Sequence, residues 1–222
     1  TEAAFLPVLT RLWENPSASV GVLYLSPLKA LINDQFERLE GLLEEAAIPV
    51  TKWHGDASAA AKKRVMKRPQ GIIQTTPESL ESMLMHNSSG AYRLFSDLRF
   101  IIIDEMHYFM DNDRGLQLLC LLERLARLIG YHPRRIGLSA TLGDCTSAVQ
   151  WLNTDSGRNC IVPKCHEKGR SLRLSVRFFP IKEKIPNSDS KVLLQNYYDY
   201  LFESTWNKRC ILFSNSKGEV EE

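Results

Sequence analysis

The stretch Phe100-Ile101-Ile102-Ile103-Asp104-Glu105-Met106-His107 decides the fold of this chain. Its first four residues form an apolar run of strand length, with no alternation between polar and apolar positions. Such a run is typical of a strand that is covered by helices on both faces of a parallel sheet. The adjacent carboxylates of Asp104 and Glu105 follow at the carboxyl end of this strand, where parallel sheets bind their ligands.

Apolar runs of strand length alternate with helical patterns on either side of this stretch. We predict strands at 20–25, 50–54, 71–75, 100–104 and 135–139, and helices at 1–13, 28–47, 57–67, 76–85, 113–129 and 145–152. Strands that alternate with helices are typical of βαβ crossovers, which produce parallel pairing. The sequence therefore predicts an α/β fold, with a mostly parallel sheet and helices on both of its faces.

Polar residues follow each predicted strand and should meet at one edge of the sheet. They are Ser26, Gly55-Asp56, Thr75-Thr76, Asp104-Glu105 and Ser139-Ala140-Thr141. Asp104 is suited to hold Mg²⁺ against nucleotide phosphates, and Glu105 to orient or deprotonate an attacking water. The alternative for this acidic pair is a simple cap of the following helix, and small polar residues such as Ser139 are common in turns.

The composition excludes several classes of protein. With 222 residues, 44% hydrophobic and 24% charged, the chain is neither disordered nor, at a formal charge of +2, a histone-like polycation. A local basic face for nucleic acid, such as the cluster at 62–68, remains compatible with this charge, as does a merely solvated helix. No apolar run is long enough for a membrane span. The five cysteines are an odd number, so we expect a reducing, cytoplasmic setting.

The C-terminal third of the sequence has a different pattern of polar and apolar residues. Residues 153–170 are polar, 172–179 alternate like a strand, 191–206 have a helical pattern and 209–214 are again strand-like. Cys160, Cys165 and His166 fit no common zinc spacing, although a metal site stays open as the lesser alternative. We predict a first domain over 1–165, a linker over 166–190 and the start of a second domain over 191–222.

Several of these stretches together resemble one known family. Asp104-Glu105-Met106-His107 followed by Ser139-Ala140-Thr141 resembles motifs II and III of superfamily 2 helicases in their DExH form. Residues 25–31, 75–80 and 211–216 resemble motifs Ia, Ib and IV, and 54–56 lie where the family has a Gly-containing nucleic-acid loop. The order and spacing resemble the large helicase-related (Lhr-like) group of DEAD/DEAH box proteins.

This resemblance implies a RecA-like, P-loop NTPase fold that uses ATP and Mg²⁺. The catalytic residues it implies are Asp104, Glu105, His107, Ser139 and Thr141. His107 in this family is thought to link the ATP site to motif III. The residues it implies for contact with a nucleic-acid strand are Ser26, Pro27, Lys29, Gly55, Thr76 and Pro77.

The resemblance also interprets Thr1, which is similar to the last residue of the family's Walker A motif. Thr1 would then join Asp104 as a ligand of Mg²⁺. The lysine and glycines of that motif are absent from this sequence, so we expect a fold truncated at both ends. The fragment alone is expected to be inactive, with the ATPase activity in the full-length protein.

The function this implies is ATP-dependent unwinding of, or translocation along, DNA or RNA. Its partners would be single-stranded or duplex nucleic acid and a second RecA-like domain of the same chain. Two alternatives remain at this stage. One is a double-strand DNA translocase that does not separate strands, and the other is a nucleic-acid-binding module without catalysis.

Overall fold

A computed structural model describes residues 2–142, 145–163, 174–179 and 195–214. The chain divides into two compact units, Thr1–Lys164 and Cys165–Glu222. In the part of the chain that is described, no helix is both long and apolar enough to cross a bilayer.

The first unit is built on a five-stranded sheet. Its strands are β1 (Val20–Leu25), β2 (Val50–Trp53), β3 (Gly71–Thr75), β4 (Phe100–Ile103) and β5 (Arg134–Gly137). All four pairings are parallel, and the strand order is β2-β3-β1-β4-β5. The predicted α/β fold with a parallel sheet is therefore confirmed.

Helices connect these strands. They are α1 (Glu2–Glu14), α2 (Lys29–Glu45), α3 (Ala59–Lys67), α4 (Pro77–His86), α5 (Ser88–Phe95), α6 (Asp113–Ile129) and α7 (Cys145–Asn153). A single 3₁₀ turn, Met106–Tyr108, follows β4. Side chains of Ser58, Thr76, Asn87 and Asn112 cap α3, α4, α5 and α6 by accepting from a backbone amide in the first turn. Gly130 ends α6 in the left-handed conformation that glycine adopts without strain.

The sheet separates two hydrophobic cores, one on each face. Phe100 and Ile102 face the core formed with α1 and α2, whereas Ile101 and Ile103 face the core formed with α4, α5 and α6. All four residues of β4 are buried. This arrangement explains why its sequence is apolar without alternation, since successive side chains point to opposite faces.

Some elements differ from the prediction. Helix α5 was not predicted, because it has only eight residues and starts with Ser88-Ser89-Gly90, a composition that is typical of loops. The stretch 172–179, whose sequence alternates like a strand within the predicted linker, has no regular structure over its described part, 174–179.

The second unit contains one described helix, α8 (Gln195–Thr205), where the pattern predicted 191–206. The predicted strand at 209–214 is wrong for this structure, because those residues form no ladder and Phe213 is 92% exposed. An apolar pattern alone does not make a strand, since its backbone groups need a neighbour to pair with. Of the motif IV stretch 211–216, residues 215 and 216 lie outside the described residues.

Candidate functional site

The predicted motifs meet at the carboxyl edge of the sheet, where backbone hydrogen bonds continue past the strand ends. The amide of Asp104 donates to the Leu25 carbonyl at 2.8 Å, and the amide of Met106 donates to the Leu138 carbonyl at 2.8 Å. The amide of Ser26 donates to the Thr75 carbonyl at 3.1 Å. Motifs Ia, Ib, II and III are thus held side by side by the same ladder that builds the sheet.

Asp104 is the most buried acid at this edge, with 7% of its surface exposed. Its Oδ1 accepts from the Glu105 amide at 3.0 Å, and its Oδ2 accepts from the hydroxyl of Tyr24. Burial raises the pKa of the Tyr24 hydroxyl, and the hydrogen bond to Asp104 raises it further, so Tyr24 stays a donor. Sequence reasoning missed Tyr24. The available signal was a hydroxyl inside an otherwise apolar strand, two residues before Ser26.

Glu105 adopts a backbone conformation that is unusual for a residue with a side chain. Its φ of 47° and ψ of 48° lie in the left-handed region, which costs about 1–2 kcal/mol for an L-residue. This turn ends β4 and starts the 3₁₀ turn, whose first residue, Met106, is buried. Strain of this kind persists only where the surrounding structure holds it, and it concentrates at functional sites.

His107 connects motif II to motif III. Its Nδ1 lies 2.9 Å from the Ser139 hydroxyl and 3.3 Å from Glu105 Oε2. The Ser139 hydroxyl also lies 3.4 Å from the Thr141 carbonyl, while the Thr141 side chain is exposed. The structure therefore brings Glu105, His107 and Ser139 into one cluster, which Thr141 joins through its backbone.

Asp104 fits the role of a Mg²⁺ ligand. Each of its oxygens accepts one hydrogen bond and keeps a lone pair free, and carboxylate oxygens are hard ligands that suit this ion. The other predicted ligand, Thr1, lies outside the described residues. Among the described residues no group of three or more His, Cys, Asp or Glu could hold a metal. Cys165 and His166 of the alternative metal site are not described.

The residues predicted to contact a strand lie at the same edge but differ in exposure. Lys29 and Gly55 are exposed, whereas Ser26, Pro27, Thr76 and Pro77 are buried. Thr76 caps α4, its hydroxyl accepting from the Ser79 amide at 3.4 Å. Of these six residues, Lys29 and Gly55 are therefore the accessible ones in this conformation.

A salt bridge joins the first residue of α2 to the loop that follows β2. Lys29 Nζ lies 2.8 Å from Asp56 Oδ2, with about half or more of each side chain exposed. The hydrogen bond from Lys29 and its charge lower the pKa of the Asp56 carboxyl. Lys29 is therefore paired with Asp56 in this structure.

His54, beside this salt bridge, is a buried residue of the predicted nucleic-acid loop 54–56 to which the sequence assigned no role of its own. Its exposure is 4%, and within the described ranges neither ring nitrogen has a hydrogen-bond partner. Burial lowers the pKa of the imidazole, which favours the neutral form. Lys62, from the basic cluster at 62–68, donates to the His54 carbonyl at 2.6 Å, while Lys63, Arg64, Lys67 and Arg68 are exposed.

Comparison with known proteins shows the family of this chain. The family model for DEAD/DEAH box helicases matches residues 1–148. The chain is 32% identical over 214 residues to the ATP-dependent helicase Lhr-Core of Methanocaldococcus jannaschii, an alignment that covers 90% of this chain and 24% of that protein. It is 31% identical over 209 residues to the ATP-dependent DNA helicase Hel308 of Methanococcus vannielii, which covers 88% of this chain and 25% of that protein.

A solved structure extends this likeness to the fold. The Mycobacterium smegmatis helicase Lhr, bound to ssDNA and AMP-PNP, matches with a TM-score of 0.73 at 28% identity, over 99% of this chain and 29% of that one. The chain spans about a quarter of the length of the curated relatives described above. Its parallel sheet is that of a RecA-like helicase domain, and the chain belongs to the DEAD/DEAH box helicase family.

Proposed function

We propose that this chain supplies the first RecA-like domain, over 1–165, of an ATP-dependent helicase that moves along nucleic acid. Residues 166–190 would be the linker and 191–222 the start of the second RecA-like domain. The observation that carries the proposal is the cluster at the end of β4, in which His107 Nδ1 lies 2.9 Å from the Ser139 hydroxyl and 3.3 Å from Glu105. Two motifs from different strands are joined there around a residue suited to act as a base.

Each residue of the cluster has a separate task in this proposal. Asp104, together with Thr1, would hold a Mg²⁺ ion, which would stabilise negative charge on the phosphates of ATP. Glu105 orients the attacking water and accepts its proton. His107 and Ser139 respond to the change at Glu105 through their hydrogen bond. Tyr24 donates to Asp104 Oδ2 and so keeps the carboxylate in one orientation.

The proposed partner is a single strand of DNA that crosses the edge at Lys29 and Gly55. Lhr of Mycobacterium smegmatis, at 28% identity, was solved with ssDNA. Backbone amides and one lysine can bind phosphates but read no bases, so contact of this kind suits movement without sequence preference. Tighter binding of RNA than of DNA with the same sequence would contradict this part of the proposal and favour RNA as the partner.

The test is the ATPase rate of the full-length protein with and without a single strand. Glu105→Gln is expected to lower the rate by about 10²- to 10⁴-fold, because the general base is lost, while binding of ATP persists. Glu14→Gln, which changes an exposed acid of α1, serves as the matched control and should keep the wild-type rate. Wild-type turnover in Glu105→Gln would contradict the assignment of Glu105 as the general base.

A second assay separates the helicase from its alternatives. The full-length protein is given ATP and either a duplex with a single-stranded tail or a triplex. Displacement of the duplex strand supports the helicase, whereas displacement of the triplex strand alone supports a double-strand translocase. Failure to hydrolyse ATP with either substrate supports a binding module without catalysis. The 222-residue chain alone is expected to hydrolyse ATP negligibly, because it contains no Gly-rich phosphate loop.

A further inference from the structure

Arg114, in the first turn of α6, contacts three segments that are distant in sequence. Its Nη2 donates to the Pro27 carbonyl at 2.7 Å, and its Nε donates to Glu78 Oε1 at 2.8 Å. Its guanidinium carbon lies 5.6 Å from the centroid of the Phe109 ring, a range in which a cation is attracted to the ring face. One side chain thus joins motif Ia, the start of α4 and the loop that follows Glu105.

The loop between Glu105 and α6 is fixed at both ends. Phe109 is fully buried, and its amide donates to the Met106 carbonyl at 2.9 Å. Asn112 donates to the Tyr108 carbonyl at 2.9 Å and accepts from the Gly115 amide at 3.0 Å. A displacement at Glu105 would therefore be passed on to the first turn of α6.

Gly115 shows how closely this turn fits the loop. A Cβ atom at this position would lie 1.5 Å from the Phe109 carbonyl oxygen, so no other residue can stand there without a backbone shift. The first turn of α6, which carries Arg114, is consequently in direct contact with the backbone of the motif II loop.

The other end of the contact lies on the proposed strand-binding face. Pro27 belongs to motif Ia, and Glu78 is the second residue of α4, directly behind the Thr76 cap. Burial raises the pKa of Glu78, but hydrogen bonds from its own amide, from Thr76 and from Arg114 outweigh burial and lower it. Gln117 adds a second link from α6 to α4, since its Nε2 donates to Glu81 Oε2 at 2.6 Å.

We propose that Arg114 is a positioning residue that couples the nucleotide cluster at Glu105 to the strand-binding loops of motifs Ia and Ib. This inference rests on the proposed function, because it concerns how the two sites of that function communicate. The planar guanidinium has donors that point in different directions, so it can hold the Pro27 carbonyl and Glu78 together. A lysine has one ammonium group on a flexible stem and cannot reproduce this fork.

The experiment measures the ATPase rate of the full-length protein as a function of single-strand concentration. Arg114→Gln is expected to raise the strand concentration for half-maximal stimulation by about 10-fold and to lower the ratio of stimulated to unstimulated rate. Arg127→Gln is the matched control, because Arg127 is an exposed residue of the same helix that pairs with Glu123 at 2.9 Å. This control should stay within about twofold of wild type.

Two further variants distinguish coupling from a general loss of structure. Arg114→Lys keeps the charge and should recover only part of the stimulation. The double variant Arg114→Gln/Glu78→Gln should lose little more stimulation than either single variant, because both substitutions break the same contact. Effects that simply add, or an Arg114→Gln protein that behaves like Arg127→Gln, would overturn the inference. A wild-type protein whose ATPase ignores the strand would instead overturn the proposed function, and the coupling with it.

Discussion

Two corners of one sheet edge are built in different ways. The nucleotide corner, at Asp104, Glu105, His107 and Ser139, is held by hydrogen bonds between partly or fully buried groups. The strand corner exposes a salt bridge, Lys29 with Asp56, above buried backbone turns. Both corners share the same parallel strands and the same backbone ladder.

The difference indicates which corner must keep its geometry and which must exchange partners. Buried polar networks are rigid, because a lost hydrogen bond there is not replaced by water. An exposed ion pair is weak and is screened by salt, so a phosphate can take the place of Asp56 beside Lys29. We expect substitutions at the nucleotide corner to cost stability or catalysis, and those at the strand corner to change affinity and its salt dependence.

The largest effect on stability is expected for Tyr24→Phe. The substitution removes the donor to Asp104 Oδ2 but keeps the ring that contacts Phe5. The free energy of unfolding should fall by about 1–3 kcal/mol, because a buried carboxylate oxygen is left unpaired. The measurement is a denaturant titration. Tyr92→Phe, at a half-exposed ring of α5, is the control. Equal losses of unfolding free energy in both variants would show that the hydrogen bond from Tyr24 to Asp104 does not stabilise the protein.

A smaller effect is expected for the contact of His107 with Ser139. Ser139→Ala and His107→Ala should each lower the strand-stimulated ATPase rate, and the double variant should lower it little more than either one. The coupling free energy from this cycle is expected to be about 0.5–3 kcal/mol, as for other residues in direct contact. Independent, additive losses would show that motifs II and III do not communicate through this hydrogen bond.

The smallest effect is expected at the strand corner, from Lys29→Gln. Affinity for a single strand should fall by about threefold, and the slope of its logarithm against the logarithm of salt concentration should decrease by about 1. Asp56→Asn should raise the affinity for a single strand at low salt, since it releases Lys29 for a phosphate. Arg11→Gln, which breaks another exposed ion pair with Glu14, is the control. An unchanged slope in Lys29→Gln would exclude a phosphate contact there.

Much of this edge could be predicted from sequence because its signals are local. Strands β1 and β3 and helix α6 begin and end where their periodicity predicts, and the parallel order brings their polar ends together. The strand predicted at 209–214 was wrong because its apolar pattern does not say whether a neighbouring strand is present. The left-handed turn at Glu105 could not be predicted, because neither glycine nor asparagine occupies this position.

Two residues that hold or connect the motifs, Tyr24 and Arg114, were beyond local signals. Tyr24 reaches Asp104 across 80 positions, and Arg114 reaches Pro27 across 87 positions. Contacts of this kind depend on the strand order and on how α6 packs, neither of which the periodicity of one segment contains. Sequence alone therefore located the groups suited to chemistry but not the side chains that hold and join them.

The most direct test of the account is the affinity of the full-length Glu105→Gln protein for a labelled single strand, measured once with ATP and once with ADP. Because this variant should bind ATP without hydrolysing it, the two nucleotides hold the two corners in different states. The two dissociation constants should differ by at least about fivefold, the lower range of coupling between linked sites. The same dissociation constant with both nucleotides would contradict it.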